Sequence, residues 1–160
     1  MLGMAGKKNE LGATGATVAA NVKRLREEQN LTYAELSRRL EATGRPVPVL
    51  GLSRVENGTR RVDVDDLMAL AVALGVSPAT LLMPNAATDS AQVEATALAE
   101  PVAAKALWGW MRAEDRPGSS NSGDFLLAAS PEWIRRELRQ FLAEVFPRNQ
   151  TGRAQADGDD

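Results

Sequence analysis

Five short apolar segments, each bounded by residues that start or stop helices, follow one another between residues 17 and 84. Their apolar side chains recur three and four residues apart, as at Val18, Val22 and Leu25, which is the spacing of one helix face. Helices this short are stable mainly through burial of their apolar faces against one another. The sequence therefore predicts an all-α chain with a compact five-helix domain over residues 17–84.

Capping residues set the predicted boundaries of these helices. Thr32 and Glu35 have the spacing of a capping box, and Asp63 and Ser77 have N-cap chemistry at the start of the fourth and fifth helices. Pro48 suits the first turn of the third helix, where its missing N–H costs nothing. The first helix is predicted over residues 17–29 and the third over residues 48–57. Thr43, Gly58 and Gly75 are predicted to end the second, third and fourth helices.

The composition changes on both sides of this domain. Residues 1–16 are rich in glycine and lack periodicity, so they are predicted to be a flexible N-terminal arm. Residues 85–100 contain mostly Ala, Thr and Ser and are predicted to be a linker or a weak helix. Residues 101–146 are predicted to form a small helical region, with a loop over 116–123, and residues 147–160 a disordered tail.

The last predicted helix has an apolar stripe at helical spacing. Two interpretations remain open, namely a dimer interface or a small core that packs on the first domain within one chain. The stripe consists of Ile134, Leu138, Phe141, Leu142 and Val145.

Missing residue types exclude several classes of function. The sequence has no Cys and no His, which removes disulfides, zinc–thiolate sites and the usual general base. Neither a phosphate-binding P-loop nor a dinucleotide-binding glycine pattern is present. The acidic residues 157–160 lack the rest of a calcium-loop pattern. We therefore expect no enzyme activity, no cofactor and no metal.

Hydropathy and the N-terminal residues indicate the expected location. No apolar run reaches the length of about 20 residues that a membrane span needs. Lys7 and Lys8 are not followed by the apolar core of a secretory signal. The sequence predicts a soluble, cytoplasmic protein with no membrane association.

The net charge of −2 conceals an uneven distribution. Residues 17–62 contain nine Lys or Arg residues and five Glu residues, whereas residues 63–160 contain eight basic and fifteen acidic residues. A basic segment beside an acidic one is typical of a protein that binds a polyanion with one part only. A solvated charged surface would have the same composition, so charge alone does not decide between the two.

Residues 21–84 resemble the XRE family of phage-repressor-like helix-turn-helix regulators. The resemblance rests on VKRLRE at 22–27, LTYAELS at 31–37, LSRVENG at 52–58, Leu67 and ALGVS at 73–77. It implies binding to double-stranded DNA, with the third helix in the major groove and the N-terminus of the second helix at a phosphate. The segment between these two helices, residues 41–47, is longer than the tight turn typical of the family.

The resemblance also implies roles for individual residues. The base-reading positions fall on Val49, Leu50, Ser53 and Arg54, and an arginine there can bind guanine O6 and N7 with two hydrogen bonds. Arg54 could instead contact a phosphate or a surface carboxylate. Val49 and Leu50 are apolar where polar residues are common, so they would either contact thymine methyl groups or pack the helix against the core. Ser53 is small and its role is ambiguous.

The resemblance also implies residues that contact the DNA backbone and residues that stabilise the fold. Thr32 and Tyr33 would contact a phosphate at the second helix, with Tyr33 as a hydroxyl donor, although a partly buried aromatic fits Tyr33 equally well. Arg26 and Glu56 are expected to form a structural pair that ties the first helix to the end of the third. Additional phosphate contacts are expected at Arg45, Asn57, Thr59, Arg60 and Arg61.

Together these features predict a sequence-specific transcriptional regulator that binds DNA as a dimeric repressor. A homodimer is favoured because one domain with few base-reading residues covers too little DNA for high specificity. The alternative is an antitoxin-like or adaptor protein whose acidic C-terminal region binds a protein partner.

Overall fold

The computed structural model describes residues 10–118 and 122–145. Within these ranges the chain forms eight helices and one two-stranded antiparallel sheet, which confirms the predicted all-α class. The elements are α1 (Ala13–Glu28), α2 (Tyr33–Ala42), α3 (Val49–Glu56), α4 (Val64–Leu74), α5 (Pro78–Leu82), β1 (Gln92–Val93), β2 (Val102–Ala103), α6 (Ala104–Met111), α7 (Ser122–Ala129) and α8 (Glu132–Val145).

Helices α1 to α5 enclose the main core. Helix α1 packs against α3, α4 and α5, and α2 packs against α3 and α4. The central side chains are those that the helical spacing places on the inner faces. The fully buried apolar residues of this core are Val22, Leu36, Leu40, Leu52, Val55, Leu70 and Leu81.

Local side-chain caps explain where three of these helices begin. Thr32 accepts a hydrogen bond from the Glu35 amide at 3.2 Å, and the Glu35 carboxylate accepts one from the Thr32 amide at 2.7 Å. Asp63 caps α4 through the Asp66 amide, and Ser77 caps α5 in the same way. Each cap satisfies a first-turn amide that has no partner inside the helix.

Two helix starts differ from the sequence prediction. Pro48 is the N-cap of α3 with an extended backbone, rather than its first helical residue. Helix α1 begins at Ala13, inside the predicted arm 1–16, because Thr14 and Thr96 form reciprocal hydrogen bonds between backbone amide and side-chain hydroxyl, at 3.2 and 2.9 Å. This contact holds the first turn of α1 against the segment that follows α5.

The predicted linker 85–100 contains strand β1, and the predicted helical region 101–146 opens with strand β2 before α6 begins at Ala104. Val93 pairs with Val102 across the sheet and is buried with Ala104 and Leu107 in a second apolar cluster. Met83, the residue after α5, packs against this cluster at its edge. The second cluster therefore adjoins the five-helix domain. Two-residue strands are too short to produce an alternating pattern, which is why they could not be predicted from the sequence.

The C-terminal helices also differ in part from the prediction. Helix α7 was not predicted, and it begins at Ser122 inside the predicted loop 116–123. Helix α8 follows Ser130 and Pro131 and contains the whole predicted apolar stripe. The tail 147–160 and most of the arm, residues 1–9, lie outside the described residues. Among the helices that the structure describes, none has both the length and the apolar character needed to cross a membrane.

A buried asparagine joins α1 to the end of α5. Asn21 is 2% exposed, and its Nδ2 donates to the carbonyl oxygens of Thr80, Leu81 and Met83 at 3.3, 3.0 and 2.7 Å. These carbonyls lie at the C-terminal end of a short helix, where no later amide of the helix can reach them. Asn21 therefore fixes the point at which the chain leaves the five-helix domain.

Substitution of Asn21 is expected to destabilise this domain. Asn21→Asp removes the donor and turns a carboxylate toward carbonyl oxygens, so the free energy of unfolding should fall by about 3 kcal/mol. Chemical denaturation followed by circular dichroism measures this change. The matched control is Asn85→Asp, the same substitution at an exposed position, which should leave the midpoint nearly unchanged. Equal effects of the two substitutions would contradict this role for Asn21.

Candidate nucleic-acid interface

One face of α3 is exposed and contains all four predicted base-reading positions. Its other face is anchored in the core by Gly51, Leu52 and Val55, which are buried. The exposed face spans less than half of the helix circumference, as the helical repeat requires for residues at these spacings. It consists of Val49, Leu50, Ser53, Arg54 and Asn57, with Ser53 partly covered.

The side chains on this face differ in chemistry along the helix. Val49 is 46% exposed and Leu50 is 61% exposed, so neither packs α3 against the core. Arg54 is exposed, and within residues 10–118 and 122–145 its guanidinium has no hydrogen-bond or ion-pair partner. Asn57 makes a long hydrogen bond of 3.4 Å to the Ser53 hydroxyl. The face therefore offers an apolar end at Val49 and a cationic end at Arg54.

An ion pair fixes the C-terminal end of α3 to α1. Arg26 donates to Glu56 through Nε at 2.6 Å and through Nη2 at 2.9 Å, and the Glu56 side chain is 1% exposed. Arg26 also donates through Nη1 to the Leu31 carbonyl at 3.0 Å. The two-point geometry between planar groups is the strongest form of this contact. The predicted structural residues Arg26 and Glu56 thus lie together, and the hydrogen bond to Glu56 raises the pKa of Arg26.

Tyr33 adds a third member to this ion pair. Its hydroxyl donates to Glu56 Oε2 at 2.8 Å, and the Arg26 guanidinium lies over its ring, 4.3 Å from the centroid. We refer to Arg26, Tyr33 and Glu56 as the Glu56 cluster. Because the Tyr33 hydrogen is donated to Glu56, Tyr33 cannot donate it to a phosphate in this arrangement, which differs from the predicted role.

The N-terminal end of α2 exposes backbone donors. The Thr32 hydroxyl is also occupied, because it donates to Glu35 Oε2 at 2.8 Å. Hydrogen bonds from Thr32 lower the pKa of Glu35. The amides of Tyr33 and Ala34 lie in the first turn and have no partner among the described residues. Any anion held at this end would therefore bind these amides rather than the two hydroxyl groups.

Two predicted phosphate-binding arginines contact carboxylates instead. Arg45 donates to Asp66 Oδ1 and Asp63 Oδ2, each at 2.8 Å, and Arg60 donates to Asp66 Oδ2 at 2.8 Å. Asp66 is buried, and we refer to these four residues as the Asp66 cluster. The hydrogen bond to Asp66 raises the pKa of Arg45, and the Asp66 amide lowers the pKa of Asp63.

The Asp66 cluster connects the long α2–α3 segment to the segment before α4. Arg60 also lies directly over α3, since a Cβ at Gly51 would be 2.7 Å from Arg60 Nη1. The sequence indicated only an N-cap at Asp63. Two aspartates at i, i+3 spacing near two arginines suggest an ion-pair cluster, but this spacing does not specify which arginines contact the aspartates.

The turn between α3 and α4 brings the remaining predicted residues together. Gly58 has a φ of 70°, a left-handed conformation that costs glycine little. Thr59 donates through its hydroxyl to the Arg54 carbonyl at 3.2 Å, and exposed Arg61 donates to the Glu10 carbonyl at 3.0 Å. Along the chain, the exposed face of α3 is therefore followed directly by Asn57, Thr59 and Arg61.

The apolar stripe of α8 lies apart from this surface. Ile134 and Leu138 are half-buried, whereas Phe141, Leu142 and Val145 are exposed. Arg136 and Arg139 of the same helix are also exposed. The described part of the chain therefore does not bury the C-terminal end of this stripe.

Comparison with protein families identifies the N-terminal domain. The helix-turn-helix family model matches residues 22–81, from within α1 to within α5. This part of the chain matches the family of XRE-type helix-turn-helix regulators, which confirms the resemblance noted in the sequence. The protein thus has the domain of a DNA-binding transcription regulator. Comparisons with curated proteins and with solved structures gave no match.

The Glu56 cluster should shift the titration midpoint of Tyr33, the single tyrosine of the chain. The hydrogen bond to Glu56 raises the pKa of Tyr33 above its ordinary value of about 10. The folded state holds this proton more tightly than the unfolded state. The resulting stabilisation is therefore present below about pH 10 and is lost as pH rises through the raised pKa.

Tyrosinate absorbance of the wild-type protein and of Glu56→Gln, recorded with circular dichroism, measures this difference. We expect the midpoint of Glu56→Gln to lie lower, because the neutral amide accepts the hydroxyl hydrogen less strongly. Glu28→Gln, which alters an exposed ion pair with Arg24, should titrate like the wild type. Identical midpoints in all three proteins would contradict the contact.

Proposed function

We propose that the protein is a repressor that binds operator DNA as a dimer and reads the major groove with α3. The observation that carries this proposal is the exposed face of α3, a helix fixed at its other face, with Arg54 unpaired among the described residues. An α-helix fits the width of the major groove of B-DNA, and an arginine there can bind guanine with two hydrogen bonds. Val49, Leu50 and Ser53 would reach neighbouring base edges.

Backbone contacts would set the position of α3 on the DNA. The amides of Tyr33 and Ala34, which have no partner among the described residues, suit a phosphate, because the N-terminus of a helix favours negative charge. Asn57, Thr59 and Arg61 follow α3 and lie where the adjacent phosphates would pass. Arg45 and Arg60 would act mainly through the Asp66 cluster, which holds the segments on both sides of α3.

A dimer is supported by the stripe on α8. Full burial of its five apolar side chains, at about 1.5 to 3 kcal/mol each, would gain about 10 kcal/mol, less where Ile134 and Leu138 are already half-buried. Association costs about 4 to 15 kcal/mol in lost freedom, so this gain is of the size that a dimer needs. Two copies would present two α3 helices to two half-sites, which would extend the sequence that is read.

The same stripe also supports a second function. An adaptor or antitoxin-like protein would use an exposed apolar face beside an acidic surface to bind a different protein. Residues 63–160 contain fifteen acidic and eight basic residues, so a partner with basic residues around an apolar groove would fit. The two functions differ in what is bound to α8 in solution.

The base-reading role of Arg54 predicts a difference between two arginine substitutions. Arg54→Ala should weaken binding to the preferred site by about 1 to 3 kcal/mol and relax the preference at one base pair. Arg61→Ala should weaken binding to all sequences to a similar degree and reduce the salt dependence by about one phosphate. Fluorescence anisotropy on preferred and scrambled duplexes at several salt concentrations measures both quantities.

Lys105→Ala, at an exposed position of α6, serves as the control and should change neither quantity. If Arg54→Ala lost the same affinity for preferred and scrambled DNA, Arg54 would not be a base-reading residue. Absence of salt-dependent binding to any duplex would contradict DNA binding by this surface.

The proposed interface predicts that a charge on the stripe of α8 prevents dimer formation. Phe141→Glu would place a carboxylate in the contact and should give a monomer at about 10 µM, a concentration that corresponds to an association free energy of about 7 kcal/mol. Ala143→Glu introduces the same charge on the opposite side of α8 and should remain dimeric. Sedimentation equilibrium measures the mass, and circular dichroism verifies that helix content is kept.

Three results would contradict this arrangement. A monomeric wild-type protein at this concentration would exclude the dimer, and co-purification of a different protein with the wild type but not with Phe141→Glu would favour the adaptor. A dimer unaffected by Phe141→Glu would move the interface away from α8.

A further inference from the structure

The N-terminal end of α3 has an unusual chemistry for a helix that enters the major groove. Val49 and Leu50 expose 46% and 61% of their surface and cannot make hydrogen bonds with their side chains. Within the described residues, the apolar contacts of α3 with the core are made by Leu52 and Val55 on the other face. The two exposed side chains therefore stabilise the fold little, and their apolar surface would face a duplex bound as proposed.

The major groove offers few groups that suit such side chains. Each base pair presents hydrogen-bond donors and acceptors there, and the only apolar group is the C5-methyl of thymine. An apolar side chain against donors and acceptors alone would displace their water without replacing its hydrogen bonds. The favourable match for Val49 and Leu50 is therefore a base pair with a methyl group in the groove.

The neighbouring residues limit this contact to the N-terminal end of α3. Ser53 and Arg54 follow one turn later and can make hydrogen bonds. The Arg54 guanidinium has no hydrogen-bond or ion-pair partner among the described residues. The two chemistries lie side by side on one face of the helix. A half-site that matches this face would have methyl-bearing pyrimidines beside a guanine.

We propose that Val49 and Leu50 form a reader of pyrimidine C5-methyl groups in the DNA major groove. This proposal rests on the proposed DNA-binding function and adds a chemical basis for its sequence preference. Since the contact involves the methyl group and no hydrogen bond, 5-methylcytosine would satisfy it as thymine does. Methylation of a cytosine at such a position would therefore strengthen binding.

The experiment uses the full chain and a preferred duplex selected from a pool of random sequences. Each thymine of one half-site is replaced singly by uracil, which keeps base pairing and removes only the methyl group. At a contacted position we expect binding to weaken about fourfold, which corresponds to about 0.8 kcal/mol for one buried methyl group. At the same position, 5-methylcytosine should bind more tightly than cytosine by a similar factor.

Protein variants assign this effect to α3. Leu50→Ala or Val49→Ala should reduce the ratio of thymine to uracil affinity toward one at the contacted positions. Because both residues are largely exposed, neither substitution should unfold the domain, and circular dichroism verifies this. Met68→Ala is the matched control, since Met68 is 55% exposed on α4, outside the proposed interface. It should leave the ratio unchanged.

The possible results separate this inference from the function on which it rests. Sequence-specific binding that is indifferent to every thymine methyl, or a selected site without thymine, would overturn the methyl reader and leave the regulator intact. A ratio that persists in both Leu50→Ala and Val49→Ala would overturn the assignment to these residues. Absence of any sequence-specific DNA binding would overturn the proposed function and this inference together.

Discussion

The orientation of α3 depends on the ion pair between Arg26 and Glu56. The Glu56 carboxylate is almost fully buried and accepts two hydrogen bonds from Arg26 and one from Tyr33. These three residues come from α1, α2 and α3, so one buried charge joins α1 to the two helices that form the candidate interface. A buried carboxylate that lost its arginine would be strongly destabilising. The outer face of α3 is consequently held in one position before any ligand arrives, which lowers the entropic cost of binding.

A second set of charges stabilises the other side of α3. In the Asp66 cluster, Arg45 and Arg60 are paired with carboxylates, so their charge is partly neutralised within the protein. The excess of basic residues in 17–62 therefore overstates the charge that is free to meet a polyanion. Five basic residues of this segment are exposed and have no carboxylate partner among the described residues, namely Lys23, Arg38, Arg39, Arg54 and Arg61. A surface of this kind would depend on a few well-placed contacts, which favours specificity over general attraction to DNA.

Helix positions could be predicted from the sequence because the signals are local. The capping box of Thr32 and Glu35 and the apolar spacing within each helix act over three or four residues. The contacts that were not predicted join distant residues, such as Asn21 with Met83 and Arg45 with Asp66. The exposure of Leu50 was also undecided, because helical spacing alone does not define which face meets the core when apolar residues are consecutive. The expected pairing of Arg26 with Glu56 came from the family resemblance rather than from spacing.

We propose that the exposed face of α3, held by the Glu56 cluster, is the surface that meets DNA. Chemical-shift mapping by NMR, with the full chain titrated against its selected duplex, locates this surface. The amides of α3, the first turn of α2 and the turn 57–61 should shift together as the duplex is added. Shifts confined to α6, α7 or α8, with α3 unperturbed, would contradict it.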